Sequence, residues 1–424
     1  MESILLDDNQ HWININAYDH FISREILPKA ISYLDTKQII ALVGARRVGK
    51  STIAKLMIKE LLKTTESKNI FFINLEKPEF IPYKKDAAYL NNIFDAYLKI
   101  ANPNLNERVY FFIDEIQIFQ NWEVFVKSKY ENSNIKFIIT GSNSSLLTSN
   151  YATVLTGRVL KLAMHSFSFT EFLQFKNISH NTTIEQIANR IEISRAKDEY
   201  LKWGGYYNVI ATNDESVKKD ILKNIAEDII LKDIVPRYKI KNSAEIKDLF
   251  YYVVSNASTV LNYSTLSRKI EIDAKSIKEY IEYFEDNFLV NTISSYHTKI
   301  TEQIKSAKKV YMSDNGFLNL GINRSLNNGN RLENMIFTIL NRDFENITYI
   351  KDTYEIDFFC ENAYYQVSYN IDDDKTRKRE LGSFNHFNKN NKQKNILITY
   401  DANEQLENAD IVSLEKFVFD KETK

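Results

Sequence analysis

Residues 44–52 read GARRVGKST and follow directly on the apolar run QIIALV of residues 38–43. A short run of bulky apolar residues that stops at a glycine reads as a buried strand leaving its sheet through a tight turn. The next stretch, GKSTIAKLMIKELLKTT (49–65), repeats its apolar residues near a 3.6 period and reads as a helix. Gly44, Gly49, Lys50 and Ser51 fit the spacing G-x-x-x-x-G-K-[ST] in full. Glycines let the backbone curl, so that successive N–H groups and the helix N-terminus face an anion. In such a loop Lys50 reaches the β- and γ-phosphates and the Ser51 hydroxyl ligates Mg2+. Gly44, Ala45, Arg46, Arg47, Val48, Gly49, Lys50, Ser51 and Thr52 are the candidate nucleotide-binding residues. Arg46 and Arg47 either touch phosphate or pair with acids, and the sequence does not choose.

A second stretch, RVYFFIDEIQ (108–117), is an apolar strand ending in two adjacent carboxylates. Two acids can simply cap a strand end. Together with the loop above they form a hydrolytic pair, with Asp114 holding the Mg2+ shell and Glu115 polarising the attacking water. A protein that only senses nucleotide does not need the second carboxylate. A third stretch, IKFIITGSNSSLL (135–147), ends its strand in small polar residues. Should this strand lie between the first two, Ser142 or Asn143 would sit near the γ-phosphate. The alternative is a hydroxyl-rich turn capping a helix over SSLLTSN. Arg158 in LTGRV (155–159) is a candidate for stabilising transition-state charge, in its own subunit or a neighbour's; the alternative is an ordinary surface arginine.

Around these motifs the chain alternates. An amphipathic helix is expected over 20–34, then strands at QIIALV, NIFFINLE, RVYFFIDE, IKFIITGS and RVLKLAM, with helices between the first four. That alternation predicts an α/β domain with a parallel sheet, closing near residue 165. Residues 166–240 read as helical. In 241–325 the helices AEIKDLFYYVVSNA, NYSTLSRKI and AKSIKEYIEYFEDN precede two strands, which is a winged-helix order. Arg268, Lys269, Lys275 and Lys278 could meet the phosphates of DNA, but Glu279, Glu282 and Glu285 follow on the same helix.

The chain has 424 residues, enough for two or three domains, and 55 basic against 56 acidic side chains. The net charge of −1 gives no bulk argument for nucleic acid. The one cysteine, Cys360, allows no intramolecular disulfide. The six histidines have no metal spacing. The start MESILLDDNQHW lacks the basic and apolar regions of a signal peptide, and no apolar run approaches a bilayer span. A cytoplasmic protein without a membrane partner is expected.

The pieces GARRVGKST, FFIDEIQ, ITGSNSSLL and LTGRV…SFSFTEFL resemble a large prokaryotic family of AAA-type ATPases, whose members couple the ATPase to a C-terminal region of unassigned function. YLKWGGYYNVI, KKVYMSDNGFLNLG, LEN and YEIDFF fit the same family, so the resemblance covers nearly the whole chain. Members often carry Phe-Pro after the paired glycines, where this chain has Tyr206 and Tyr207. The resemblance implies a P-loop NTPase fold of AAA type and ATP rather than GTP; no guanine-reading N/T-K-x-D element stands in the expected place. Residues 326–424 give the order α-β-β-β-α-β and look like a restriction-endonuclease-like domain, with Glu333, Asp357 and Gln366 at its candidate site. Such nucleases carry an Asp and then Glu-x-Lys; here Asp357 is followed by Gln366-Val367-Ser368, so a degenerate site is expected. Lys375 or Arg379 could enter the gap. Three functions stand open: an ATPase controlling its C-terminal modules, an ATP-gated nuclease, and an ATP-bound scaffold for a protein partner. A homo-oligomer is a further open expectation.

Overall fold

The computed structural model describes residues 1–143, 155, 157–321, 328–389 and 392–422. Contacts divide the chain into two units, Met1–Met164 and His165–Lys424.

In the first unit, five apolar runs form strands β1 Ile39–Val43, β2 Ile70–Asn74, β3 Val109–Asp114, β4 Ile135–Gly141 and β5 Val159–Ala163. All pair in parallel, in the order β2-β3-β4-β1-β5. Parallel neighbours require long crossovers, and helices Lys50–Leu61, Tyr89–Ala101 and Trp122–Asn132 provide them. β1 and β4 are buried along their whole length, because each has a strand on either side. The expected placing of β4 between the loop strand and the acid-pair strand is what the register shows: β3 and β1 flank it.

β2 is an edge strand, and the N-terminal segment covers it. The Asn9 amide pairs with Phe72 in both directions, at 2.8 and 2.7 Å. His11 Nε2 and Trp12 Nε1 both meet the Ile70 carbonyl, at 3.0 and 2.9 Å, and Asp8 accepts from the Asn74 N–H. Side chains thus satisfy an edge that would otherwise template another strand. The helix expected over 20–34 is shorter, Leu27–Ser32. Pro28 is tolerated only in a first turn, and it disfavours helix in the residues before it.

In the second unit the helices of residues 166–240 lead into a nine-stranded mixed sheet. Its strands are β6 Thr259–Leu261, β7 Val290–Ser295, β8 Lys308–Met312, β9 Thr348–Lys351, β10 Glu355–Cys360, β11 Ala363–Ser368, β12 Lys394–Thr399, β13 Glu404–Gln405 and β14 Asp410–Ser413. The order is β13-β14-β12-β11-β10-β9-β7-β8-β6. β6, β8 and β7 are antiparallel, β7 pairs with β9 in parallel through Ser294↔Thr348, and β9-β10-β11 is an antiparallel meander. Helix Asp374–Phe387 carries the chain from β11 to its parallel partner β12. The expected modules 166–240, 241–325 and 326–424 therefore do not separate: one sheet runs through the last two, and one core gathers Phe167, Tyr311, Phe337 and Phe417. The free edge of β7 supplies the join, and pairing between distant strands leaves no periodicity in the sequence.

Three short motifs explain one another here. Gly204 sits at φ 70°, and a Cβ on it would lie 1.8 Å from Asp314 Oδ1. The buried Asp314 carboxylate accepts from Ser166 Oγ (2.6 Å), Gly205 N (2.8 Å) and Gly316 N (2.8 Å). Asn315 donates to the Leu201 carbonyl, and Asn334 bridges Asn315 and Met312. WGG, SDNG and LEN thus form one buried polar latch, a structural device within this unit.

Candidate nucleotide site and a second polar cluster

β1 ends at Val43, and the chain turns over residues 44–49 before helix Lys50–Leu61 begins. Two loop residues take left-handed backbone, Arg47 at φ 65° and Gly49 at φ 97°. Gly44 is needed for a different reason: a Cβ there would meet the Met164 carbonyl at 2.3 Å. The Lys50 side chain curls back over the loop, with Nζ 3.0 Å from the carbonyls of Gly44 and Ala45 and 3.4 Å from Glu115 Oε1. The buried Arg24 braces the loop from below, donating to the Val48 carbonyl at 2.9 Å. Arg46 pairs with Glu76 at 2.7 Å.

The register of β3 beside β4 delivers the acids. Asp114 closes β3, and its carboxylate accepts from Ser51 Oγ (2.7 Å) and Thr140 Oγ1 (2.6 Å). Thr140 Oγ1 also accepts from the Glu115 N–H, 3.0 Å away. Glu115 takes a left-handed conformation, φ 54°, so the chain leaves the strand there and enters the turn Ile116–Ile118. Gln117 Nε2 then donates to Glu115 Oε2 and, at 3.1 Å, to Ser142 Oγ. Asn143 is buried beside Ser142 at the end of β4.

The two acids titrate in opposite directions. Burial raises Asp114 to about 6, helped by the neighbouring Glu115 charge and opposed by the Thr140 and Ser51 hydroxyls. Burial alone would also raise Glu115, but the Lys50 ammonium, the Gln117 amide and Arg46 outweigh it and hold the carboxyl below its ordinary value. An ionised carboxylate is what a base for water requires. The Ser51 hydroxyl and the Asp114 carboxylate, facing each other, are a hard oxygen pair suited to Mg2+. Among the described residues no cluster of three or more acids, histidines or cysteines could hold a metal. A Mg2+ at this pair would complete its shell with phosphate and water, its usual habit in nucleotide sites.

Lys50, Ser51, Asp114, Glu115, Ser142 and Asn143 therefore converge on the C-terminal ends of β1, β3 and β4. The helix expected over SSLLTSN lies outside the described residues. Arg158 does not converge within this chain. It stands at the start of β5, where its carbonyl accepts from Ile39 N at 2.7 Å, and its guanidinium pairs with Glu131 at 3.0 Å. β1 runs five residues from Ile39 to Val43 before the loop, roughly 16 Å of strand. The expectation that Arg158 serves the site of its own subunit is thus corrected: parallel pairing puts it at the opposite end of the sheet. Sequence reasoning missed Arg24, Thr140 and Gln117. Gln117 was readable within the acid-pair motif and Thr140 as the last hydroxyl of β4, whereas nothing local marks Arg24.

The second unit holds another polar cluster. Lys309 on β8 is buried, and its Nζ lies 2.7 Å from Glu355 Oε1, 3.0 Å from Glu333 Oε1 and 3.3 Å from Asp357 Oδ1. Tyr311 OH donates to Glu333 at 2.8 Å. The β10–β11 hairpin sets Gln366 beside Asp357, yet the Gln366 amide nitrogen donates to Glu380 at 2.6 Å. Lys309, Glu333, Glu355, Asp357, Gln366 and Glu380 line a cavity of about 670 Å³. Burial and the Glu333 charge raise Asp357 to about 7, against the pull of Lys309. Burial would lower Lys309, but Tyr311 and the surrounding carboxylates hold its ammonium well above the ordinary value. The cation that contacts all three acids comes from β8, in the preceding sequence segment, and Arg379, one of the two cations that could enter the gap, lines the same cavity. Arg379 pairs with Glu380.

A family model described as an AAA domain matches residues 36–173, and one described as a domain of unknown function (DUF8612) matches residues 194–328. An uncharacterized protein of Haemophilus influenzae is 31% identical over 400 residues, covering 91% of this chain and 95% of that one. An uncharacterized protein of Methanocaldococcus jannaschii is 32% identical over 417 residues, covering 94% and 89%. Among solved structures, a Walker-type ATPase of Pyrococcus abyssi matches at 15% identity and a TM-score of 0.38, covering 72% of this chain and 96% of that one. No helix among the described residues is long and apolar enough to cross a membrane. The chain belongs to the same family as its Haemophilus and Methanocaldococcus relatives, with an AAA domain followed by a domain of unknown function.

Proposed function

We propose that the first unit binds ATP with Mg2+ and hydrolyses its terminal phosphoanhydride bond. The observation that carries this reading is the pairing of a full phosphate loop with two adjacent acids held in different environments, Asp114 against Ser51 and Glu115 against Lys50. The loop N–H groups and Lys50 hold the phosphates and spread their charge. Ser51 and Asp114 hold Mg2+, which supplies Lewis-acid neutralisation of the phosphate oxygens. Glu115 accepts the proton of the attacking water. Nucleotide state then acts on the C-terminal unit as a switch.

The C-terminal unit reads as an interaction module. Its three central acids share the Lys309 ammonium, which supports a folded-in ion cluster over a metal-dependent nuclease centre. The helix Ala274–Asp286 balances Lys275 with Glu279 and Lys278 with Glu282 along one face, which favours a protein partner over DNA. Single-turnover hydrolysis of ATP is the test. Glu115→Gln should bind ATP as the parent does and lose turnover by roughly 100-fold or more. Equal turnover in that variant refutes the assignment. ATPase stimulation by DNA, against none, would replace the protein partner with nucleic acid.

A further inference from the structure

Among the described residues of the nucleotide site, Gln117 has a side chain that is half satisfied. Its amide nitrogen has two hydrogens, and both are engaged, one by Glu115 Oε2 and one by Ser142 Oγ. The orientation of the amide follows from its partners: an ionised carboxylate only accepts, so the nitrogen faces it. Gln117 Oε1 is thereby buried with no hydrogen-bond partner among the described residues. A buried amide oxygen normally finds a donor, and one without a partner in the protein points to a small donor bound there. Glu115, for its part, keeps lone pairs in reserve, since each carboxylate oxygen accepts more than one bond. The left-handed Glu115 and the following turn, closed by Ile118 N to the Glu115 carbonyl at 3.1 Å, bring the two side chains alongside each other.

We propose that Gln117 is the water-positioning partner of Glu115: its Oε1 accepts one hydrogen of the attacking water while the Glu115 carboxylate accepts the other. The inference rests on the hydrolytic reading above. Two acceptors at fixed places take both hydrogens, which turns the water's lone-pair side toward the γ-phosphorus. A bond forms between the water oxygen and the γ-phosphorus. The bond from the γ-phosphorus to the β–γ bridging oxygen breaks, its electron pair leaves on ADP, and the water's proton passes to Glu115. Ser142 holds the Gln117 amide in register, which gives the small polar end of β4 its role.

The test compares the full chain with Gln117→Leu, which removes donor and acceptor, and Gln117→Lys, which keeps a nitrogen donor and removes the acceptor. Three quantities are read: affinity for ATP, single-turnover rate, and affinity for ADP with Mg2+ and aluminium fluoride, which mimics the in-line state with its water in place. Both variants should bind ATP within about twofold of the parent and turn over roughly 100-fold more slowly. They should lose a similar factor in affinity for the aluminium fluoride complex. A lysine variant with undiminished turnover and analogue affinity overturns the proposal. So does an equal loss of ATP affinity in both variants, which marks a merely structural residue. Absence of turnover in the parent, with ATP bound, refutes the hydrolytic reading itself; turnover that survives Gln117→Leu refutes only the positioning role.

Discussion

Lys309→Met tests the ion cluster of the second unit. At an effective dielectric near 20, an ammonium about 3 Å from a carboxylate gains roughly 5 kcal/mol, and Lys309 has three such partners at 2.7, 3.0 and 3.3 Å. Desolvation of the ammonium and repulsion among the acids consume most of that sum. Breaking a buried pair by removing one partner costs about 3–5 kcal/mol, and this is the expected loss at pH 8. The loss should depend on pH in a definite direction. Asp357 has a folded-state value raised to about 7, so the folded state keeps a proton that the unfolded state releases from about pH 4 upward. Stability of this unit therefore falls as pH rises from about 4 to about 7. Without Lys309 the Asp357 carboxyl loses the charge that opposes its rise, and its proton takes over the ammonium's role at low pH. The assay is hydrogen exchange of the full chain, read as protection factors on 308–312 and 355–368. At pH 8 the variant should lose about 2 to 3.5 orders of magnitude of protection, and at pH 5 markedly less. A loss that is the same at both pH values, or below tenfold at pH 8, refutes the ion-cluster account.

Other outcomes follow from single contacts. Thr140→Val removes the donor to Asp114 and the acceptor of the Glu115 N–H, so turnover should fall and stability drop by about 1–3 kcal/mol in chemical denaturation. Gly204→Ala meets both a positive φ and the Asp314 carboxylate, and should lower the melting of the second unit by at least about 2 kcal/mol. Asn9→Ala uncovers the β2 edge at Phe72; expected are a loss of about 2 kcal/mol and concentration-dependent association in light scattering.

The candidate nucleotide site was largely legible in the sequence because its parts are local. A phosphate loop needs its glycines, lysine and serine within nine residues, and an apolar strand ending in Asp114 and Glu115 declares itself in ten. Hydrophobic runs alternating with 3.6-period stretches likewise specified a parallel α/β unit, since burial on both faces demands such runs. Only the tertiary structure decided what depends on pairing at a distance. Arg158 follows Asn143 by fifteen residues in sequence, yet strand direction carries it to the far end of the sheet. Lys309 looked like one of many lysines until β8 joined the sheet that holds Asp357, and Gln117 acquired meaning only through Ser142 on the neighbouring strand. A side chain's neighbours along the chain are fixed by covalent spacing, whereas its neighbours across a sheet are fixed by register, and register is a property of the folded whole.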